Sequence, residues 1–82
     1  MEINQPIAVI AEFKPGEIPK PFRIKVSDKE GGHVFNLKIK LAERVGKEII
    51  KYICSIAMNG IERECEIHYK LNEMRWFLYK MK

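Results

Sequence analysis

The sequence predicts an all-β domain, on three observations. Short stretches of alternating apolar and polar residues recur along the 82-residue chain, the period of half-buried strands. Clusters rich in proline, glycine and small polar residues separate these stretches and read as turns. Between Ile50 and Tyr69 two of them flank Asn59-Gly60, the dipeptide that best tolerates positive φ at both central positions of a type I′ hairpin turn.

Taken in order, residues 1–5 are expected to be a disordered lead-in. Ile7 to Phe13 alternates, with Ile7, Val9, Ala11 and Phe13 on one side. Lys14 to Pro21 holds three prolines and a glycine and is a loop, Pro15-Gly16 being a turn dipeptide. Phe22 to Val26 places Phe22, Ile24 and Val26 inward and Arg23 and Lys25 outward. Ser27 to Gly32 is a polar turn. Val34 to Leu41 then alternates again, with Phe35, Leu37, Ile39 and Leu41 inward and Asn36, Lys38 and Lys40 outward. A rival reading is a helix over residues 39–52, since Leu37, Leu41, Val45 and Ile49 lie four apart among good helix formers. Gly46 in its middle argues against it.

Counting outward from Asn59-Gly60 pairs Met58 with Ile61, Ile56 with Arg63, Cys54 with Cys65, Tyr52 with Ile67 and Ile50 with Tyr69, a set that is apolar except for Arg63. The other side pairs Ala57 with Glu62, Ser55 with Glu64, Ile53 with Glu66 and Lys51 with His68. A slip of one residue would bury three glutamates, so the register is firmly specified. A turn near Asn72-Glu73 leads to a last strand from Arg75 to Lys80, with Trp76 facing Tyr69, Leu78 facing Ile67, and Phe77 and Tyr79 outward. Five or six strands with tight turns cover their apolar faces most economically by closing. The expectation is a single small domain over residues 1–82, an SH3-like barrel, with an OB-like barrel or an α+β fold carrying the 39–52 helix as alternatives.

A resemblance supports this fold. Pro21-Phe22-Arg23-Ile24-Lys25, Tyr52-x-Cys54, Gly60-Ile61-Glu62-Arg63-Glu64 and Arg75-Trp76-Phe77 together resemble an uncharacterised family of small bacterial proteins of about this length. The resemblance spans roughly Ile7 to Tyr79 and implies a compact β-barrel. Its motifs are strand and turn positions and the family carries no established activity, so it implies no site. Ser27 to His33 is longer and more polar than the corresponding hairpin of that family.

Composition bounds the function. No apolar run approaches the ~20 residues that cross a bilayer, and the N-terminus lacks the regions of a signal peptide. The chain is therefore expected to be complete, soluble and cytoplasmic, with Cys54 and Cys65 reduced. The two cysteines would nonetheless face each other about 5.5 Å apart at Cα, within disulfide range. Cys65 and His68 are three apart on one strand and point to opposite faces, so no metal site is expected. Glu62, Glu64 and Glu66 share a face at a spacing of about 6.5–7 Å, one that suits acid–base work on a glycosidic bond. They stand opposite Ala57, Ser55 and Ile53 on an open surface, where nothing raises a carboxyl pKa. No nucleophilic triad, P-loop or dinucleotide motif is present. Neither an enzyme nor a cofactor is expected.

Two binding surfaces remain. The first groups Phe77 and Tyr79 with His68 and Ile53, an apolar contact surface for a protein partner or a second copy. The second is a positive face of Arg23, Lys25, Lys38 and Lys40, with Lys20 and Arg44 near its ends, which fits the net charge of +4 and an anionic partner such as nucleic acid. With Phe22 and Phe35 inward, that face has no aromatic on which a base could stack, and the first surface is the leading expectation.

Overall fold

The central hairpin has the expected register. In the computed structural model, which describes residues 2–28 and 31–82, Asn59 and Gly60 take φ of 53° and 78°, the positive values that a type I′ turn needs. Every pair counted outward from that turn, from Met58↔Ile61 to Ile50↔Tyr69, is formed.

Six strands follow the chain: β1 (Glu2–Glu12), β2 (Lys20–Asp28), β3 (Gly31–Val45), β4 (Ile49–Met58), β5 (Ile61–Lys70) and β6 (Arg75–Met81). Each pairs antiparallel with the next, and β6 pairs with β1 to close the barrel. The fold is an all-β meander. It has neither the Greek-key crossover of an OB-like barrel nor a helix over residues 39–52, which instead form β3, a turn with Gly46 at φ 67°, and β4. Residues 2–5, expected as a disordered lead-in, are part of β1 and supply pairs such as Glu2↔Lys80 and Gln5↔Leu78 to the closing seam. The polar turn expected over residues 27–32 is bracketed by the pairs Ser27↔Gly32 and Asp28↔Gly31, and its residues 29 and 30 lie outside the described residues.

Strands β1 and β3 bend the sheet around. The first part of β1 pairs with β6 and the second part, from Ala8 on, with β2. Strand β3 pairs with β2 up to Asn36 and with β4 from Leu37. The core is unevenly supplied. Ile50, Tyr52, Cys54 and Ile56 of β4, Cys65, Ile67 and Tyr69 of β5, and Trp76 and Leu78 of β6 are buried, whereas β2 adds Ile24, and β1 and β3 add only partly buried residues such as Val9, Phe35 and Leu37. Full burial of one such aliphatic side chain stabilises by about 1.5–3 kcal/mol, so β4–β6 carry most of the apolar stabilisation. The Trp76 ring centroid lies 4.6 Å from that of Tyr69 and 5.5 Å from that of Tyr52. The Tyr52 hydroxyl donates to the Pro19 carbonyl and so ties the β1–β2 loop across one end of the barrel. Burial pushes this phenol well above the ordinary tyrosine range.

Two β-bulges overturn expected side-chain directions. In β2 the register jumps from Ile10↔Arg23 to Ala11↔Pro21. Proline has no N–H to give to a ladder and favours bulges, and here Pro21 is fully buried. Phe22 is the extra residue and turns outward, not inward. In β3 the register shifts between Ile39 and Leu41, which sends Leu41 outward, 49% exposed, and gives its inward position to Ala42, opposite Tyr52. Phe13 lies just past β1 and touches the core only edge-on, its ring 6.0 Å from that of Tyr69.

Candidate functional site

The two surfaces singled out from the sequence differ sharply. On the outward face of β4–β6, the Nε2 of His68 lies 2.5 Å from Oε2 of Glu66, and its ring stacks on Tyr79 at 4.2 Å between centroids. Phe77 sits opposite His68 on one side and Pro6 on the other. Its ring is covered by Lys70, whose Nζ lies 4.3 Å from the centroid, and Phe77 is only 6% exposed. Ile53 is half-buried between Glu66 and the β3 bulge. The four residues expected as a partner surface are thus brought together, and they are largely covered by their own neighbours.

The glutamate stripe lies on the same side. Glu64 pairs with Lys82 at 3.2 Å, Glu66 engages His68, and Glu62 is exposed. Lys51 pairs with Glu43 at 2.8 Å, and that hydrogen bond and charge hold its pKa above the ordinary lysine value. Inside the barrel, Cys54 and Cys65 face each other as free, buried thiols. Their hydrogen bond, together with burial, pushes the Cys54 thiol up, and the same bond draws Cys65 down.

The outward face of β1–β3 is assembled differently. Arg23 stands opposite Asn36, and its Nε donates to Asn36 Oδ1 at 3.1 Å. Lys25 stands opposite Val34. Lys38 follows Asn36 along β3, opposite Ser55, and Lys40 is the extra residue of the β3 bulge. Beside these cations the β2 bulge sets Phe22, with Lys20 Nζ at 5.7 Å from its ring centroid. Ile10, Phe22 and Val34 are 59%, 41% and 58% exposed. Among the described residues no carboxylate is ion-paired to Lys20, Arg23, Lys25, Lys38 or Lys40. Arg44 stands opposite Ile50, with the parity of the inner face, and is not part of this stripe.

Ile10, Phe22, Arg23, Asn36 and Leu37 line a shallow depression of about 420 Å³ on this face. Phe22 and Ile10 were absent from the residues that the sequence pointed to. The available signal was Pro21, a residue that a regular ladder position does not accept. The expected objection, that no aromatic accompanies the cations, does not hold in the folded chain.

Fold and surface together define a small closed β-barrel with one open cationic-aromatic face and one self-covered aromatic face. No family model, curated protein or solved structure matches the chain.

Proposed function

We propose that the protein is a non-enzymatic binding module whose ligand is single-stranded nucleic acid, held on the outward face of β1–β3. The observation that carries this reading is Phe22, turned outward among Lys20, Arg23, Lys25, Lys38 and Lys40 by the bulge at Pro21. Phosphates need unpaired cations, and bases need an open aromatic platform. Both stand here within one strand pair and its continuation along β3. The test is a fluorescence titration with single-stranded DNA and RNA at low salt. Binding is expected to weaken with salt, with a log–log slope of about −3 if four of the cations contact phosphate. It is expected to collapse in a Lys38→Glu, Lys40→Glu double variant. Affinity that ignores both salt and this reversal removes the reading.

A second reading, contact with a protein partner or another copy of the chain around Ile53, His68, Phe77 and Tyr79, is supported by Leu41, which the β3 bulge leaves exposed beside Ile53. Sedimentation at high concentration tests it. Association that Leu41→Glu abolishes would favour it over the first, and a monomer throughout would remove self-association. The finer description as a bacterial, SH3-like barrel rests on the resemblance of the four motifs. Among the described residues no helix is long and apolar enough to cross a membrane.

A further inference from the structure

Strand β3 outruns one of its two neighbours. Its ladder to β2 runs from Gly31 to Asn36, and its ladder to β4 begins only at Leu37↔Ile56. Strand β4 ends at Met58, where Asn59-Gly60 turns the chain back into β5. Residues 31–35 therefore have β2 on one side and no strand of the described chain on the other. The turn also identifies the backbone groups on that open edge. Hydrogen-bonded and non-hydrogen-bonded pairs alternate along an antiparallel ladder. Counting from the bonded pair Met58↔Ile61, β4 bonds to β5 through Ile56 and Cys54, so Ser55 turns its N–H and C=O toward Lys38 of β3. Val34 and Gly32 share the parity of Lys38 in an unbulged stretch, so their N–H and C=O groups point the same way, off the edge. Lysine, proline and bulges are the usual guards of such an edge, and residues 31–35 carry none of them.

Charge indicates which strand fits. Gly32 and Val34 occupy outward positions of β3, as Lys38 does. A Cβ on Gly32 would fall 2.5 Å from Lys25 Cε and 3.5 Å from its Cδ, so the Lys25 side chain lies across Gly32, over β3. Neither Lys25 nor Lys38 is ion-paired among the described residues. From this we infer that the open edge of β3 docks an extended acidic peptide as an additional antiparallel strand. Peptide residues opposite Gly32 and Val34 exchange main-chain hydrogen bonds with them and place their side chains on the same outward side. A glutamate or aspartate there lies beside Lys25 and Lys38. The intervening residues turn to the inner side, where Phe35 is half-buried, and apolar side chains match it. Main-chain bonds supply the affinity of such an added strand and alternate side chains its specificity. The inference is independent of the nucleic-acid reading, since it needs a backbone edge and not Phe22.

The measurement is fluorescence anisotropy of a short labelled peptide alternating glutamate and valine. The native chain is expected to bind it, and to bind a peptide with lysine for each glutamate about tenfold or more weakly. Methylating the glutamate backbone nitrogens, which face β3 in this pairing, is expected to cost about tenfold. Methylating the valine nitrogens, which face away, should leave binding nearly unchanged. Val34→Pro removes an edge N–H and no ladder bond, and is expected to weaken binding about tenfold. Thermal unfolding confirms that this variant is folded, and the methylated peptides test the same contact on the native chain. No binding of the acidic peptide, equal binding of the lysine peptide, equal effects of the two methylation patterns, or full binding by folded Val34→Pro overturns the inference. Self-association that Val34→Pro abolishes, with no peptide binding, gives the edge to a second copy and overturns it as well.

Discussion

The outward faces of β5–β6 and β2–β3 draw on the same residue types, aromatic rings beside lysines, and they differ in what those residues touch. Lys70 lies over Phe77, and His68 stacks on Tyr79 while engaging Glu66. Across the barrel, Lys20 Nζ lies over an exposed Phe22 at the longer distance of 5.7 Å, and Lys20, Arg23, Lys25, Lys38 and Lys40 meet no carboxylate among the described residues. The acids are responsible for much of the contrast. Strand β5 carries Glu62, Glu64 and Glu66 on its outward side, whereas the outward positions of β2 from Lys20 to Ser27 and of β3 from Gly32 to Leu41 hold no acid. A side chain whose interactions are satisfied within the fold contributes to stability, and one left open is available to a ligand.

That contrast can be broken by substitution, and the largest effect is expected at Phe77. Phe77→Ala removes a covered ring and should cost about 3 kcal/mol in urea unfolding, the low end for buried phenylalanine because the ring packs outside the barrel. Phe22→Ala should stay within about 0.5 kcal/mol in the same measurement. Comparable losses would mean that the two rings are equally part of the fold. Next in size, reversing both Lys38 and Lys40 to glutamate should weaken single-stranded DNA binding about a hundredfold at low salt. Reversal of Lys70 and Lys80 on the opposite face should change it only a few-fold, and equal losses would point to a diffuse electrostatic attraction without a face. The smallest of these effects is Phe22→Ala read by binding, where loss of one stacked base should cost about tenfold. A salt slope unchanged by that substitution would separate stacking from charge.

How much of this was legible in the sequence follows from where the turns lie. Asn59-Gly60 determines ten pairs of β4 with β5 because type I′ geometry leaves no freedom in register. The pairing of Tyr69 with Trp76 and Ile67 with Leu78 was legible in the same way, from a short loop that ends with Met74 at φ 54°, its N–H donating to the Lys70 carbonyl. Side-chain direction failed at Phe22 and at Leu41. At both places two apolar residues are adjacent, Pro21-Phe22 and Leu41-Ala42, so alternation fits either parity and cannot register a bulge. The pairing of residues 2–5 with β6 was also hidden, because nothing local in either segment specifies a partner more than 70 residues away. The misreading at Phe22 accounted for the missing aromatic on the basic face.

The seam between β1 and β6 has a kinetic consequence. Among the described residues, five of the six strand pairings join neighbours in the chain, and only this one joins its two ends, through contacts such as Glu2↔Lys80 and Ile7↔Trp76. Closing a loop costs entropy that grows with its length, and contacts between distant residues form late. The barrel is therefore expected to zip up hairpin by hairpin and to seal last at the seam. Until then β1 and β6 are edge strands with open backbone donors and acceptors. At high concentration during refolding the β1 of a second chain is expected to compete for β6. The expected product is an exchanged dimer with the same pairings and the same exposed Phe22 on each barrel, which size-exclusion chromatography of protein refolded at high and low concentration would detect.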